Sequence, residues 1–247
     1  MGSRLFHNAY FYTELHPMLP VESNPLVGFL AQYLSDNKLN LIEKVLDQRT
    51  RHITVVLEDI YQSQNGSAVI RTCECMGLQD VHVTETTSKY SVNRRVLKGA
   101  NKWLDIIKHN QRNKNNTEVC FDALHTKGYK IYVTDPAGGQ SIHDLPTDEK
   151  IAIVMGNELH GASDYAMQHA DGKLNIPMYG FTESLNISVS AAICLSTLIP
   201  KLRSSNVPWQ LTETEKSELR LKWYKKCIRH VDILEKEFWK RQLQSTT

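Results

Sequence analysis

The feature that most constrains this chain is an alternation of short apolar runs with segments of helical character. Residues 53–57, 81–84, 130–134, 151–155 and 173–176 read as strands. Between them, 68–76 closed by Gly77, 121–126 closed by Gly128, and 164–170 capped by Ser163 read as helices. A run without polar alternation is buried on both faces, and strands that return in one direction need crossovers, usually helical. The pattern predicts an α/β fold, a largely parallel sheet flanked by helices. Residues 135–139 form a turn, and 187–198 form an apolar helix stopped by Pro200.

The flanks differ. Residues 1–25, punctuated by Pro17, Pro20 and Pro25, read as an extended arm; 26–34 and 38–48 read as short helices, the second behind Ser35-Asp36. Thr212-Glu213-Thr214-Glu215 fits a capping box. Behind it Leu219, Trp223, Cys227, Val231, Leu234 and Phe238 step by three and four, predicting one amphipathic helix of roughly 30 residues. The expected organisation is an N-terminal arm with short helices over 1–51, a sheet domain over 52–203 and a helical extension over 204–247.

Composition excludes several classes. No apolar run is long enough to cross a bilayer, and no basic segment leads an apolar core at the start. The 5 cysteines are scattered, which fits a reducing cytoplasm better than a disulfide framework. Cys73-Glu74-Cys75 has the wrong spacing for a zinc knuckle and no second Cys/His pair stands at ligand spacing, so no metal site is expected. Net charge is only +2, but residues 89–114 carry a dense run of lysine and arginine opposed by Asp105 alone, with Tyr90 and Trp103 interleaved. That mixture suits a phosphate backbone and a stacked base.

In open α/β sheets ligands bind beyond the carboxyl ends of the strands, so the loops after Leu57, Thr134, Met155 and Ile176 matter most. The glycine spacing of residues 156–163 mimics a phosphate-binding loop, but Ala162 stands where the lysine should be. There is no G-x-G-x-x-G and no G-x-S-x-G. Asn65 and Arg71 are six residues apart, so on a helix they leave on different faces. Read locally, Asn65 is a cap and Arg71 a surface ion-pair partner.

Taken together the loops gain meaning. Asn65…Ser67-Ala68…Arg71-Thr72, then Gly156-Asn157-Glu158…Gly161…Ser163, then Ile176-Pro177-Met178…Gly180…Ser184-Leu185-Asn186…Ser188 follow in order. Over residues 49–200 this resembles the SPOUT superfamily of RNA methyltransferases, and most of all its TrmH-type ribose 2′-O-methyltransferases. The resemblance implies a C-terminal trefoil knot, a homodimer with each active site near the subunit interface, and S-adenosylmethionine held by Thr134, Gly156, Ile176 and Leu185. It places Arg71 at the family's catalytic arginine, with Asn65, Glu158, Ser184 and Asn186 as polar companions. Arg71 then acts as general base or as a bidentate phosphate clamp; both readings stay open. Arg94, Arg95, Lys98 and Lys102 are the implied RNA contacts, joined by Lys201 and Arg203. Two positions depart from the pattern: Gly66 replaces a larger residue, which would loosen the helix start, and Pro200 stands where a basic residue is usual. The short extensions resemble the tRNA enzymes, so a guanosine of the tRNA D-loop is the expected substrate, with ribosomal RNA second. The competing class is a non-catalytic knotted RNA-binding factor, against which Arg71, Glu158 and Asn186 together argue.

Overall fold

Strand β1 (Ile53–Glu58) is buried at every residue and sits inside a seven-stranded sheet. Its neighbours are β2 (Asp80–Thr84) and β6 (Lys150–Met155), in parallel register with Val55 opposite both Val81 and Ile153. β3 (Asp105–His109) lies beyond β2; β4 (Tyr129–Thr134), β7 (Gly172–Asn175) and the two-residue β5 (Gln140–Ser141) continue beyond β6. Every pairing is parallel, as the unbroken apolar runs require. This is a computed structural model describing residues 24–245; the arm expected at the N-terminus lies outside them except for Asn24 and Pro25, which cap and open the first helix.

Two packed layers cover the sheet. On one face, α3 (Ser63–Cys75) and α7 (Ile187–Arg203) pack together over Val55, Leu57, Val81 and Ile153. On the other, α5 (Asn116–Thr126) and α6 (Asp164–His169) bury Cys120, Phe121, Leu124 and Ala166 against Val56, Val133 and Val154. The short α4 (Arg94–Leu97) and the 3-10 turn Ala100–Lys102 connect β2 to β3.

The structure corrects several local expectations. The basic stretch is not all loop: it contains β3, hidden by Asp105 and Lys108. An edge strand tolerates both because each finds a partner, Asp105 with Arg51 (3.0 Å) and Lys108 with Glu85 (2.5 Å). α3 starts at Ser63, five residues ahead of expectation, and Gly66 does not loosen it. A Cβ there would stand 2.7 Å from the buried Tyr90 ring, whose hydroxyl bonds Ser67 (2.8 Å), so glycine lets the ring close against the helix. Pro200 does not stop α7, because a proline in the last turn forfeits one hydrogen bond while Leu198, Ile199 and Leu202 stay buried.

Residues 47–210 form one compact unit; residues 24–46 and 211–245 belong to a second. In the second, α1 (Pro25–Ala31) and α2 (Asp36–Leu46) pack with α8 (Glu213–Cys227), and Glu43 grips Arg220 bidentately at 2.6 Å. The capping box forms at Thr212 and Glu215. The single terminal helix does not: it breaks at Ile228-Arg229-His230, where His230 takes a left-handed φ of 52°, and resumes as α9 (Val231–Ser245). The break preserves the stripe, since Trp223 on one helix and Phe238 on the other are both buried.

Candidate functional site

The parallel sheet brings the carboxyl ends of β1, β6, β4 and β7 to one edge. β1 leads to β2 on one side while β6 leads, through α6, to β7 on the other, so the loops part at the β1/β6 boundary, the kind of place where open α/β sheets hold ligands. A cleft of about 550 Å³ opens there, within the ordinary range for a small-molecule site.

One wall is the hairpin after β6. Asn157 and Gly161 exchange two backbone hydrogen bonds of 2.8 Å, and Gly156 fits beneath them. Asn157 ties the hairpin back to the end of β1 by donating Nδ2–H to the Asp59 carbonyl (2.6 Å), while its Oδ1 accepts from the Leu159 and His160 amides. Glu158 reaches α3: its carboxylate accepts the amides of Tyr61 (2.9 Å) and Gln62 (3.2 Å) and the Asn65 Nδ2–H (3.0 Å). Gln62 makes no side-chain cap of its own, so a carboxylate nearly a hundred residues away caps this helix. This is why α3 begins earlier than its sequence indicates.

The opposite wall is the segment 176–186 between β7 and α7. Asn186 caps α7 through the Ser188 amide (2.9 Å) and donates Nδ2–H to Asn65 Oδ1 (3.2 Å). Asn65 thus links Glu158 and Asn186 across the mouth. Ile176, Met178, Leu185 and Ile187 join Met155 and Leu174 as the apolar lining. Among the described residues the backbone of 177–185 makes no hydrogen bond, which leaves its amides and carbonyls to solvent or a ligand. The charged lining residues are Asp135, paired with Lys173 (3.1 Å), and Glu158; among the described residues no lysine or arginine lines the cleft. A cationic, partly apolar ligand suits such walls.

Thr134, Gly156, Ile176, Leu185, Asn65, Glu158, Ser184 and Asn186 all line this cleft. Thr134 Oγ1 donates to the Val154 carbonyl (2.9 Å), joining adjacent strand ends. Arg71 does not line it. It lies about 9 Å further along α3 than Asn65, exposed, with no hydrogen bond or ion pair among the described residues. The local readings of these two residues are not met among the described residues: Asn65 bridges two loops rather than capping, and Arg71 makes no ion pair there. Arg94, Arg95, Lys98 and Lys102 are exposed on and after α4, which packs beside α3. Lys201 instead donates Nζ–H to the Leu145 carbonyl (2.7 Å), and Arg203 donates to the Gln48 carbonyl (3.1 Å) and lies 5.3 Å over the Trp209 ring. Both hold their own unit together. Gln62, Asp135, Pro136 and Ser190 also line the cleft without having been named as site residues. Their position just after strand ends, or one helical turn into α7, is the signal that marks them.

Comparisons with known proteins agree with this geometry. The sequence profile of the SpoU rRNA Methylase family matches residues 52–196. The chain is 41% identical over 210 residues to a protein of Borreliella burgdorferi named tRNA (guanosine(18)-2′-O)-methyltransferase, covering 85% of this chain and 94% of that one. A Thermus thermophilus protein of the same name is 31% identical over 155 residues, covering 62% of this chain and 77% of its own. Among solved structures, the A. aeolicus TrmH/SpoU tRNA modifying enzyme matches with a TM-score of 0.68 and 26% identity, over 78% of this chain and 98% of that one. The AdoMet complex of AviRb from Streptomyces viridochromogenes, 19% identical with a TM-score of 0.56 over 66% of this chain and 65% of that one, shares the fold.

Proposed function

This chain belongs to the SpoU rRNA Methylase family, as a TrmH-type SPOUT methyltransferase, and on that premise we propose that it methylates the ribose 2′-hydroxyl of a guanosine in the tRNA D-loop, using S-adenosylmethionine. The relatives' names favour tRNA over ribosomal RNA and position 18 over other guanosines. The observation that carries the reading is the network Glu158–Asn65–Asn186, which joins all the sequence motifs at one cleft.

The cleft fits the cofactor. Its carboxylates, Asp135 and Glu158, suit a sulfonium and an ammonium group, its apolar lining suits an adenine ring, and the unbonded backbone of 177–185 suits the ring's edge. When bound, S-adenosylmethionine supplies an electrophilic methyl group; the protein's work is to orient the ribose hydroxyl in line and let its proton leave. Asn65 and Asn186 stand at the mouth as orienting groups, held in place by Glu158. Arg71, exposed and without a partner among the described residues, suits the phosphate clamp better than the base, because a guanidinium gives up its proton with great difficulty. Arg94, Arg95, Lys98 and Lys102, exposed on and after the neighbouring α4, add cationic surface for RNA phosphates.

The trefoil knot and the homodimer belong to the proposal. Tyr179 and Phe181 are fully exposed beside the cleft, and Leu185 and Val189 are exposed at the start of α7, an apolar surface that a second copy would cover. Among the described residues no helix is long and apolar enough to cross a membrane, and a cytoplasmic enzyme is the reading adopted.

The test is transfer of labelled methyl from S-adenosylmethionine to total tRNA and, in parallel, to ribosomal RNA, with Arg71→Ala as control. Label in tRNA that maps to a D-loop guanosine and is lost in the variant supports the proposal. Label in ribosomal RNA alone overturns the substrate, and no transfer to either overturns the activity.

A further inference from the structure

On the sheet face away from α3 and α7, three buried side chains from distant positions converge: His82 on β2, His109 at the end of β3 and Cys120 on α5, with their donor atoms all within 4.8 Å of one another. His82 Nδ1 and His109 Nε2 are 3.0 Å apart, and Cys120 Sγ is 3.8 Å from His82 Nδ1. The register fixes the pair: Thr84 stands opposite His109 and His82 opposite Ile107, so His82, Thr84 and His109 share one face.

We propose that His82, His109 and Cys120 form a buried site for a monovalent thiophilic cation, Cu(I), remote from the methyl-transfer cleft. The 3.0 Å between His82 Nδ1 and His109 Nε2 is a hydrogen-bond distance that an entering ion would widen. Bond lengths of about 2.05 Å to nitrogen and 2.3 Å to sulfur, at trigonal angles, put two nitrogens about 3.6 Å apart and nitrogen and sulfur about 3.8 Å apart. The Cys120–His82 separation of 3.8 Å already fits, and the two rings must part by roughly half an ångström. Coordination number and charge select the ion. Zinc takes four protein ligands, or three with a water in the fourth position; this cluster has three among the described residues and all are buried away from solvent, an arrangement that three-coordinate Cu(I) accepts. One thiolate and two neutral imidazoles cancel a single positive charge, while a divalent ion would leave an extra one buried. Binding is a proton exchange without redox. The Cys120 thiol releases its proton to solvent as the Cu–S bond forms. Each ring keeps one proton, on His82 Nε2 and His109 Nδ1, freeing both converging lone pairs.

The experiment is anaerobic titration of the full chain with Cu(I) against a chromogenic chelator. It is run in a Cys75→Ser/Cys227→Ser background that removes the accessible thiols. Expected are one retained ion per chain, one proton released per ion, a raised Tm, and an X-ray absorption signature of one sulfur and two nitrogen neighbours. Cys120→Ser and His109→Phe, each checked for folding by circular dichroism, should lose retention and the Tm shift. No ion retained, retention surviving in a folded Cys120→Ser variant, or zinc held with the same dependence while Cu(I) is not, would overturn the proposal.

Discussion

Replacing Gly156 by alanine perturbs the cleft at its tightest point. A Cβ on Gly156 would stand 2.3 Å from the Ala162 amide nitrogen, 2.4 Å from the Gly161 carbonyl carbon and 2.6 Å from the Ala162 Cα. All are backbone atoms, so no side-chain rotation relieves them. The hairpin must open by roughly 1 Å to reach ordinary contact distance. It cannot swing as a body, because Asn157 pins it to the Asp59 carbonyl and Glu158 pins it to the Tyr61 and Gln62 amides. Opening therefore strains the Asn157–Gly161 bond pair, at about 1 kcal/mol for each bond, on top of an overpacking cost of about 1–3 kcal/mol. We expect Gly156→Ala to lose about 3–5 kcal/mol of stability in urea unfolding. Calorimetric S-adenosylmethionine binding should weaken at least about 100-fold, the equivalent of 2.7 kcal/mol. An alanine variant within about 0.5 kcal/mol of the parent that binds the cofactor normally would refute this account of the hairpin.

Further perturbations separate structural from chemical roles. Glu158→Gln replaces a charged acceptor of backbone amides with an amide, costing about 1.5–3 kcal/mol and lowering kcat through the released Asn65; unchanged urea stability would show that Glu158 does not cap α3. Arg71→Ala should leave stability within about 0.5 kcal/mol, since the side chain has no partner among the described residues, while abolishing transfer to tRNA; retained transfer would remove Arg71 from the reaction. His52, buried and donating Nε2–H to the Thr147 carbonyl (2.9 Å), is held by desolvation below its ordinary 6.5. Its unfolded form binds the proton first, so its contribution is complete above about pH 6.5 and declines as pH falls toward the folded value, by at most about 1.4 kcal/mol per pH unit. His52→Gln should flatten that slope in urea titrations at pH 5–7, and an unaltered slope would count against it. Thr212→Ala removes the capping box of α8 and should cost about 1 kcal/mol by thermal unfolding, with a null effect meaning that packing alone holds the helix start.

The sequence by itself determined the layered α/β architecture. Runs such as Ile-Thr-Val-Val-Leu at 53–57 and Ile-Ala-Ile-Val-Met at 151–155 have no polar face and must lie inside a parallel sheet. It also determined the caps that are local, at Ser163 and Thr212, because a cap needs only its own next turn, whereas α7 is capped by Asn186 and not by Ser184, the local candidate. Most of the cleft-lining residues were legible as motifs placed after strand ends. What only the tertiary structure decided depends on groups far apart in the chain. β3 is a strand because Arg51 and Glu85 neutralise its charged ends. α3 gains its first turn from Glu158. α7 runs through Pro200 because its far side is buried, and the terminal stripe divides at His230 because two shorter helices keep both Trp223 and Phe238 inside. Periodicity records which side of a residue faces the core but carries no information about which distant carboxylate, ring or carbonyl arrives beside it. For the same reason, ligand spacing along the chain excluded a metal at Cys73 and Cys75 yet could not reveal His82, His109 and Cys120, which the parallel register of β2 and β3 and the crossover through α5 bring together.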